Sequence, residues 1–200
     1  MTTEHGPRRD RVAERRAATR REIIDAAWIL AQDKGLAEFT LRDLADAIGL
    51  RAPSLYTHFA SKDAIYDAMF AQGWADFVEV SLAWLPELPE QPRASLKVAA
   101  RVFFDFAVEN PVRYQLMHQR VIPGFAPSPE SYAPSLRMQE IARHIFENLG
   151  TTDPADLDIW TALVSGMAHQ QIANDLGGTR WSDQLDRVMD MFADGIGLPH

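Results

Sequence analysis

Ser54, Tyr56, Thr57 and His58 stand almost side by side, and no carboxylate lies among them. Hydroxyl, phenol and imidazole groups in that setting suit contacts with phosphate oxygens and base edges. Arg42, a little upstream, adds a planar guanidinium fork that can address guanine bidentately. Bond-making chemistry is absent by comparison. The sequence holds no HExxH, GxSxG, phosphate loop or GxGxxG, the patterns that mark metallohydrolases, serine hydrolases and nucleotide sites. His118, His144 and His169 stand singly on otherwise apolar segments and read as core or pocket residues. The carboxylates form no acid/base pair. With no cysteine at all, disulfides, thiolate catalysis and Cys-based zinc sites are excluded. No catalytic residue, metal or cofactor is expected.

The elements that must position these side chains lie between Thr40 and Phe59. Leu41, Leu44, Ala45 and Ile48 follow the i, i+3, i+4, i+7 spacing of one helix face. Thr40 precedes that face as a cap, and Gly49 follows it where the chain needs a left-handed residue. Pro53 sits in the first turn of a second helix, where its missing N–H costs nothing. Leu55 and Phe59 turn that helix, Pro53 to Phe59, back onto the first, and small Ala45 lets the two cross closely. The pattern is a helix-turn-helix, whose second helix can enter a DNA major groove.

The flanking residues extend this pattern. The segment TRREIIDAAWILAQDKGLAEFTLRDLADAIGLRAPSLYTHFASKDAIYDAMF, from Thr19 to Met69, resembles the N-terminal domain of TetR/AcrR-family transcriptional repressors. Its most specific part is the run Pro53 to Phe59 followed by Ser61-Lys62-Asp63, and it covers about the first third of the chain. The resemblance implies phosphate contacts from a basic arm that includes Arg20, and from Tyr56, His58 and Lys62. It implies base reading by Arg42, Ser54, Tyr56 and Thr57, with Thr40 at the same surface. Ala52 and Pro53 would set the backbone's approach, Ala52 being too short to bond a base itself. The implied partners are palindromic operator DNA, a small and largely hydrophobic effector, and a second copy of the chain. Repression released by that effector is the implied function. A DNA-binding activator, a ligand-independent regulator and a helical scaffold without DNA binding are the competing readings. The intact Tyr56, His58 and Lys62 set argues against the scaffold.

Charge is polarised. The net charge is −8, yet residues 1–21 hold seven arginines against three carboxylates, while residues 61–200 hold ten Lys/Arg against nineteen Asp/Glu. The basic end adjoins the helix-turn-helix, as a phosphate-binding surface requires. The N-terminal residues have no apolar core of the secretory type, and no run reaches the roughly 18 apolar residues of a membrane span. A cytoplasmic protein without a membrane partner is expected.

The period along the whole chain is helical, which predicts an all-α fold of about nine helices. The expected domains are a flexible arm (1–10), a helix-turn-helix domain (11–60), and a larger ligand-binding and dimerisation domain (61–200). A first helix is expected from Arg11 to Asp33 and a long one from Lys62 to Leu85, the link between domains, with Ile65, Ala68, Met69, Phe77, Leu82 and Leu85 buried. PELPEQP (Pro86 to Pro92) is the linker candidate, followed by helices from Arg93 to Glu109 and Pro111 to Val121. The Pro- and Ser-rich stretch Pro123 to Pro134 reads as a mobile loop. Helices then follow over Leu136 to Leu149, Asp156 to Leu176 and Ser182 to Ile196. Ligand candidates are Phe103, Tyr114, Met117 and His118, with Trp160, Met167, Gln170 and Asn174 along one face of a later helix. Its small-residue face, Ala162, Ser165, Gly166 and Ala173 with His169, is a candidate helix-packing seam. Leu185, Val188, Met189 and Phe192 on the last helix form an apolar stripe too wide for one partner helix. In the resembling family, the last two helices of each subunit form an intersubunit four-helix bundle, so these residues are the expected dimer interface.

Overall fold

The computed structural model describes residues 7–199. Nine α-helices and no strand occur among them: α1 (Pro7–Lys34), α2 (Leu41–Ala47), α3 (Ala52–Leu55), α4 (Lys62–Trp84), α5 (Pro92–Glu109), α6 (Pro111–His118), α7 (Pro129–Leu149), α8 (Pro154–Asn174) and α9 (Leu185–Gly195). Residues 1–6 of the expected arm lie outside the described residues, and 7–10 already belong to α1.

Two apolar cores share the chain. The smaller one gathers Ile23, Ala27 and Ala31 of α1, Leu44 and Ala45 of α2, and Leu55 and Phe59 around α3. Ile65, Tyr66, Met69 and Phe70 of α4 complete it. The apolar face of α1 thus begins only at Ile23, and residues 11–18 before it are exposed. Thr40 caps α2 in a reciprocal arrangement: its hydroxyl accepts from the Asp43 amide at 3.1 Å, and the Asp43 carboxylate accepts from the Thr40 amide at 2.8 Å. Gly49, at φ +66°, ends that turn in the left-handed region. The second core joins α5 to α9 through Leu96, Phe103, Phe104, Phe146, Val164, Leu185 and Met189, with Phe77 from α4.

α4 therefore belongs to both cores, and α6 is divided between them. Leu116 is buried in the small core, whereas Tyr114 and Met117 are buried in the large one. The Trp28 indole donates to Gln72 Oε1 at 2.8 Å, tying α1 to α4 as well.

Several boundaries depart from the periodicity. α3 is a single turn, and Tyr56 to His58 continue it as a hydrogen-bonded turn, with the His58 and Phe59 amides both 2.9 Å from the Leu55 carbonyl. Leu82 is exposed and Leu85 only half-buried, because α4 outruns the core that covers its first five turns. α6 ends at His118, three residues before Val121. The stretch read as a mobile loop is helical from Pro129, with Pro134 inside α7. Ser128 explains that start: its hydroxyl accepts from the Ser131 amide at 3.2 Å, and its own amide and hydroxyl donate to Asp67 of α4 at 2.7 and 2.8 Å. A cap fixed to a neighbouring helix outweighs the one backbone bond that Pro134 removes.

The close approach of α6 to α4 depends on Gly73. A Cβ there would lie 3.0 Å from Met117 Sδ and 3.3 Å from its Cγ. Gly73→Val should destabilise by roughly 1–3 kcal/mol through overpacking. Gly73→Ala should be close to neutral, since the flexible Met117 can yield and Ala gains about 1 kcal/mol of helix propensity. Urea unfolding of the two variants checks the contrast.

Candidate functional site

The helix-turn-helix presents a polar outer face over its buried inner one. Leu44, Ala45 and Leu55 pack α2 against α3. Opposite them the Arg42 side chain is 88% exposed, and its Nε lies 3.9 Å from Asp46, too far to be held. Tyr56 is 57% exposed and belongs to neither core. Thr57 is also exposed and donates its hydroxyl to the Ser54 carbonyl at 2.7 Å. Ser54 and Ala52 are half-buried beside exposed Pro53. Arg51, at the N-cap of α3, is exposed with no capping side chain. Sequence reasoning passed over it, although an arginine directly before the Ala52–Pro53 helix start was a legible cation at the recognition element.

Other expected contact residues are engaged behind that surface. Arg20 donates to the His58 carbonyl, and its guanidinium carbon sits 3.9 Å above the Phe59 ring centroid. Arg16 donates to the Thr57 carbonyl at 3.1 Å. These arginines of α1 thus clamp the last carbonyls of the recognition turn, and Arg20 does so from within α1. Half-buried His58 faces inward, its Nδ1 sealed from solvent with no partner among the described residues. The Thr40 hydroxyl is committed to Asp43 in both directions, accepting from its amide and donating to its carboxylate at 2.8 Å. Lys34, 2.8 Å from Asp43, and the Thr40 groups together hold that carboxyl well below the usual range. The Lys62 ammonium donates to the Ala37 carbonyl at 2.9 Å and lies 4.4 Å from the Phe39 ring centroid. Burial lowers its pKa. Its remaining protons are what it can offer a phosphate.

The second feature is a chamber of about 740 Å³ between α4, α5, α7 and α8. Phe70, Trp74 and Phe77 of α4 line it together with Phe103, Phe146 and Trp160, and Phe77 meets Phe103 edge-on at 5.7 Å between ring centroids. His118 reaches it from the end of α6, with ring centroids 5.0 Å from Trp74, 5.0 Å from Tyr114 and 5.5 Å from Phe103. Burial among these rings pulls the His118 pKa down to about 4. Glu140, Arg143 and Asp158 stand exposed at the mouth, with Arg143 paired to Glu147.

Of the expected ligand residues, Phe103, Met117, His118 and Trp160 line this chamber. Tyr114, Met167, Gln170 and Asn174 do not. Tyr114 stacks behind His118 and donates its hydroxyl to the Ser165 carbonyl at 3.0 Å. Met167 is core, and Asn174 donates to Gln170 at 2.8 Å at the far end of α8. The α4 wall was missed because apolar residues of a linking helix read as packing until the cavity beside them is seen.

The expected dimer residues also divide. Ala162, Gly166, His169 and Ala173 are exposed or half-exposed along α8, Ser165 is half-buried, and Val188 is half-buried on α9. Leu185, Met189 and Phe192 are buried in the chain's own core, Phe192 beside Phe146 of α7. Met191, 64% exposed, occupies the outward side of α9.

Residues 23–69 match the family model described as bacterial regulatory proteins, tetR family. The HTH-type transcriptional repressor KstR2 of Mycobacterium tuberculosis is 38% identical over 69 residues, 34% of either chain, so the match spans about a third of that repressor's length. The putative mycofactocin biosynthesis transcriptional regulator MftR of Mycobacterium tuberculosis is 30% identical over 171 residues, covering 78% of this chain and 80% of that one. Among solved structures, the TetR family transcriptional regulator PfmR of Thermus thermophilus superposes with a TM-score of 0.62 at 24% identity, over 85% of this chain and 96% of that one. At that identity the likeness shows the fold alone.

Two outcomes follow from this geometry. Arg20→Ala should lower stability by about 1–2 kcal/mol through the lost charged hydrogen bond and ring contact, and Arg20→Lys should not restore it. Thermal unfolding checks this. His118 is held neutral in the fold, with a pKa lowered from 6.5 to about 4, so the unfolded chain takes up its proton first as pH falls. Stability should therefore decline as pH drops from about 6.5 towards 4, by an amount approaching roughly 3 kcal/mol, and His118→Phe should flatten that slope. Denaturant midpoints across this pH range test it.

Proposed function

Because the chain belongs to the tetR family of bacterial regulatory proteins, we propose that this transcriptional regulator is a cytoplasmic repressor. It binds a palindromic operator as a homodimer and is released when a small apolar effector fills the chamber. The observation that carries the reading is the pairing of two features on one helix. α4 carries the support of the recognition turn at its N-terminal end and three aromatic rings of the chamber wall further along.

Base reading falls to Arg42 and Tyr56, with Ser54 and Thr57 beside them and Arg51 placed for a phosphate. Lys62 and His58 act mainly by fixing the turn from which these residues project. Two copies of one recognition element meeting one duplex require half-sites roughly 34–36 Å apart, or a multiple of that. No helix among the described residues is long and apolar enough to cross a membrane.

The homodimer seam is assigned to the small-residue face of α8, around Gly166, together with Val188 and Met191 of α9. Nothing lies within 4 Å of a Cβ built at Gly166. A larger side chain there is harmless to the single chain and harmful only to a partner.

Selection of operator fragments from genomic DNA, followed by mobility shifts, tests the proposal. Arg42→Ala should cost roughly 1–3 kcal/mol of operator affinity and relax preference at one base pair. Unchanged affinity and preference would remove Arg42 as a reader. Gly166→Leu should raise the monomer fraction in sedimentation by overpacking the seam. An unaltered dimer would place the seam elsewhere.

A further inference from the structure

The chamber's walls specify more than apolar character. Six aromatic rings, of Phe70, Trp74, Phe77, Phe103, Phe146 and Trp160, dominate its lining, with the small polar side chains of Ser81, Ser135 and Thr161 between them. Flat ring compounds match such walls through offset and edge-on contacts. The volume of about 740 Å³ lies within the roughly 300–1,000 Å³ of small-molecule sites. Among the described lining residues, charge is confined to the exposed mouth, where Glu140, Arg143 and Asp158 stand in water. A charged group carried into the interior would lose its hydration and find no counter-ion.

Of the polar side chains in the lining, Ser135 spends its hydroxyl on the Tyr132 carbonyl at 2.8 Å, whereas His118 stands among the aromatic rings. His118 lines the chamber, and its ring nitrogens have no hydrogen-bond partner among the described residues. Neither nitrogen is sealed by protein, in contrast to Nδ1 of His58. Stacking against Tyr114, at 28° between ring planes, and contact with Trp74 fix the orientation of the imidazole. Tyr114 cannot compete for the same ligand group, because its hydroxyl is committed to the Ser165 carbonyl. A neutral imidazole offers one donor and one acceptor.

We propose that the chamber binds an uncharged ring compound bearing a hydroxyl or carbonyl oxygen, and that this oxygen hydrogen-bonds to His118. The inference rests on the reading of the chamber as an effector site and adds the chemical class of the effector. His118 serves as anchor and filter together. It rewards a neutral oxygen, while the walls around it reject ions.

Trp74, Trp84 and Trp160 line the chamber, so quenching of tryptophan fluorescence in the full chain reports occupancy. The probes are pyrene, hydroxypyrene, pyrenecarboxylate and pyrenylmethylammonium, which share one ring system. Hydroxypyrene should bind about three- to tenfold tighter than pyrene, the effect of one hydrogen bond. Both charged probes should bind at least about tenfold more weakly than hydroxypyrene. In His118→Phe the hydroxyl's advantage should vanish, and in His118→Gln, which keeps a donor and an acceptor, it should return. Pyrene and hydroxypyrene binding alike in the unaltered chain would overturn the inference and leave the chamber reading intact. So would a persistent hydroxyl advantage in His118→Phe, or a preference for either charged probe. Failure of every probe to quench would overturn the chamber reading itself, and this inference with it.

Discussion

Burial of one helix in two cores is the constraint on which the molecule depends. Ile65, Tyr66 and Met69 of α4 have almost no exposed surface in the small N-terminal core, and Phe77, further along the same helix, is buried in the large one. The junction is reinforced by polar groups that have little alternative. The Tyr66 hydroxyl donates to the Leu36 carbonyl, and burial pushes its pKa up to about 12. Lys62 caps the Ala37 carbonyl one turn earlier. The loop between α1 and α2 is thereby fixed to α4, and with it the start of the helix-turn-helix. Packed interiors change between discrete arrangements more readily than they deform smoothly. A displaced α4 would accordingly carry the recognition turn as a body.

A second line of connection runs through α6 and the start of α7. Leu116 sits in the small core while its neighbours Met117 and His118 line the chamber, so one turn of α6 contacts both. Ser128 holds the start of α7 to Asp67, and Phe125 just before it packs its ring 5.6 Å from Tyr66. Within three turns α7 supplies Tyr132, Ser135 and Met138 to the chamber. Side chains that would touch a ligand and side chains that brace the recognition turn are thus close neighbours on the same elements.

Much of this was legible from residue type and spacing. The all-α fold, the cap at Thr40, the role of Gly49 and the inward face of the motif all follow from local rules. The chamber was legible in part, at Phe103, Met117, His118 and Trp160. What periodicity cannot reveal is which partner a face meets. Leu185, Met189 and Phe192 form as good a stripe for a second subunit as for a neighbouring helix, and only the tertiary packing shows them buried within the chain. Arg20 and Lys62 read as free cations because their acceptors, the carbonyls of His58 and Ala37, are 38 and 25 residues away. Pro123 to Pro134 read as a loop throughout because the tie from Ser128 to Asp67 that starts α7 spans 61 residues.

Release of the operator by the proposed effector requires that filling the chamber change the separation of the two recognition elements in the proposed dimer. The chain has no cysteine, so a single Ala47→Cys at the exposed end of α2 can carry one spin label per subunit without further changes. Pulsed electron–electron distance measurement on that protein, with and without a compound shown by tryptophan quenching to occupy the chamber, tests this requirement directly. The label separation should shift by about 2 Å or more on occupancy, away from the value seen in the operator complex. An unchanged distance distribution, with a compound that nonetheless releases the operator, would contradict it.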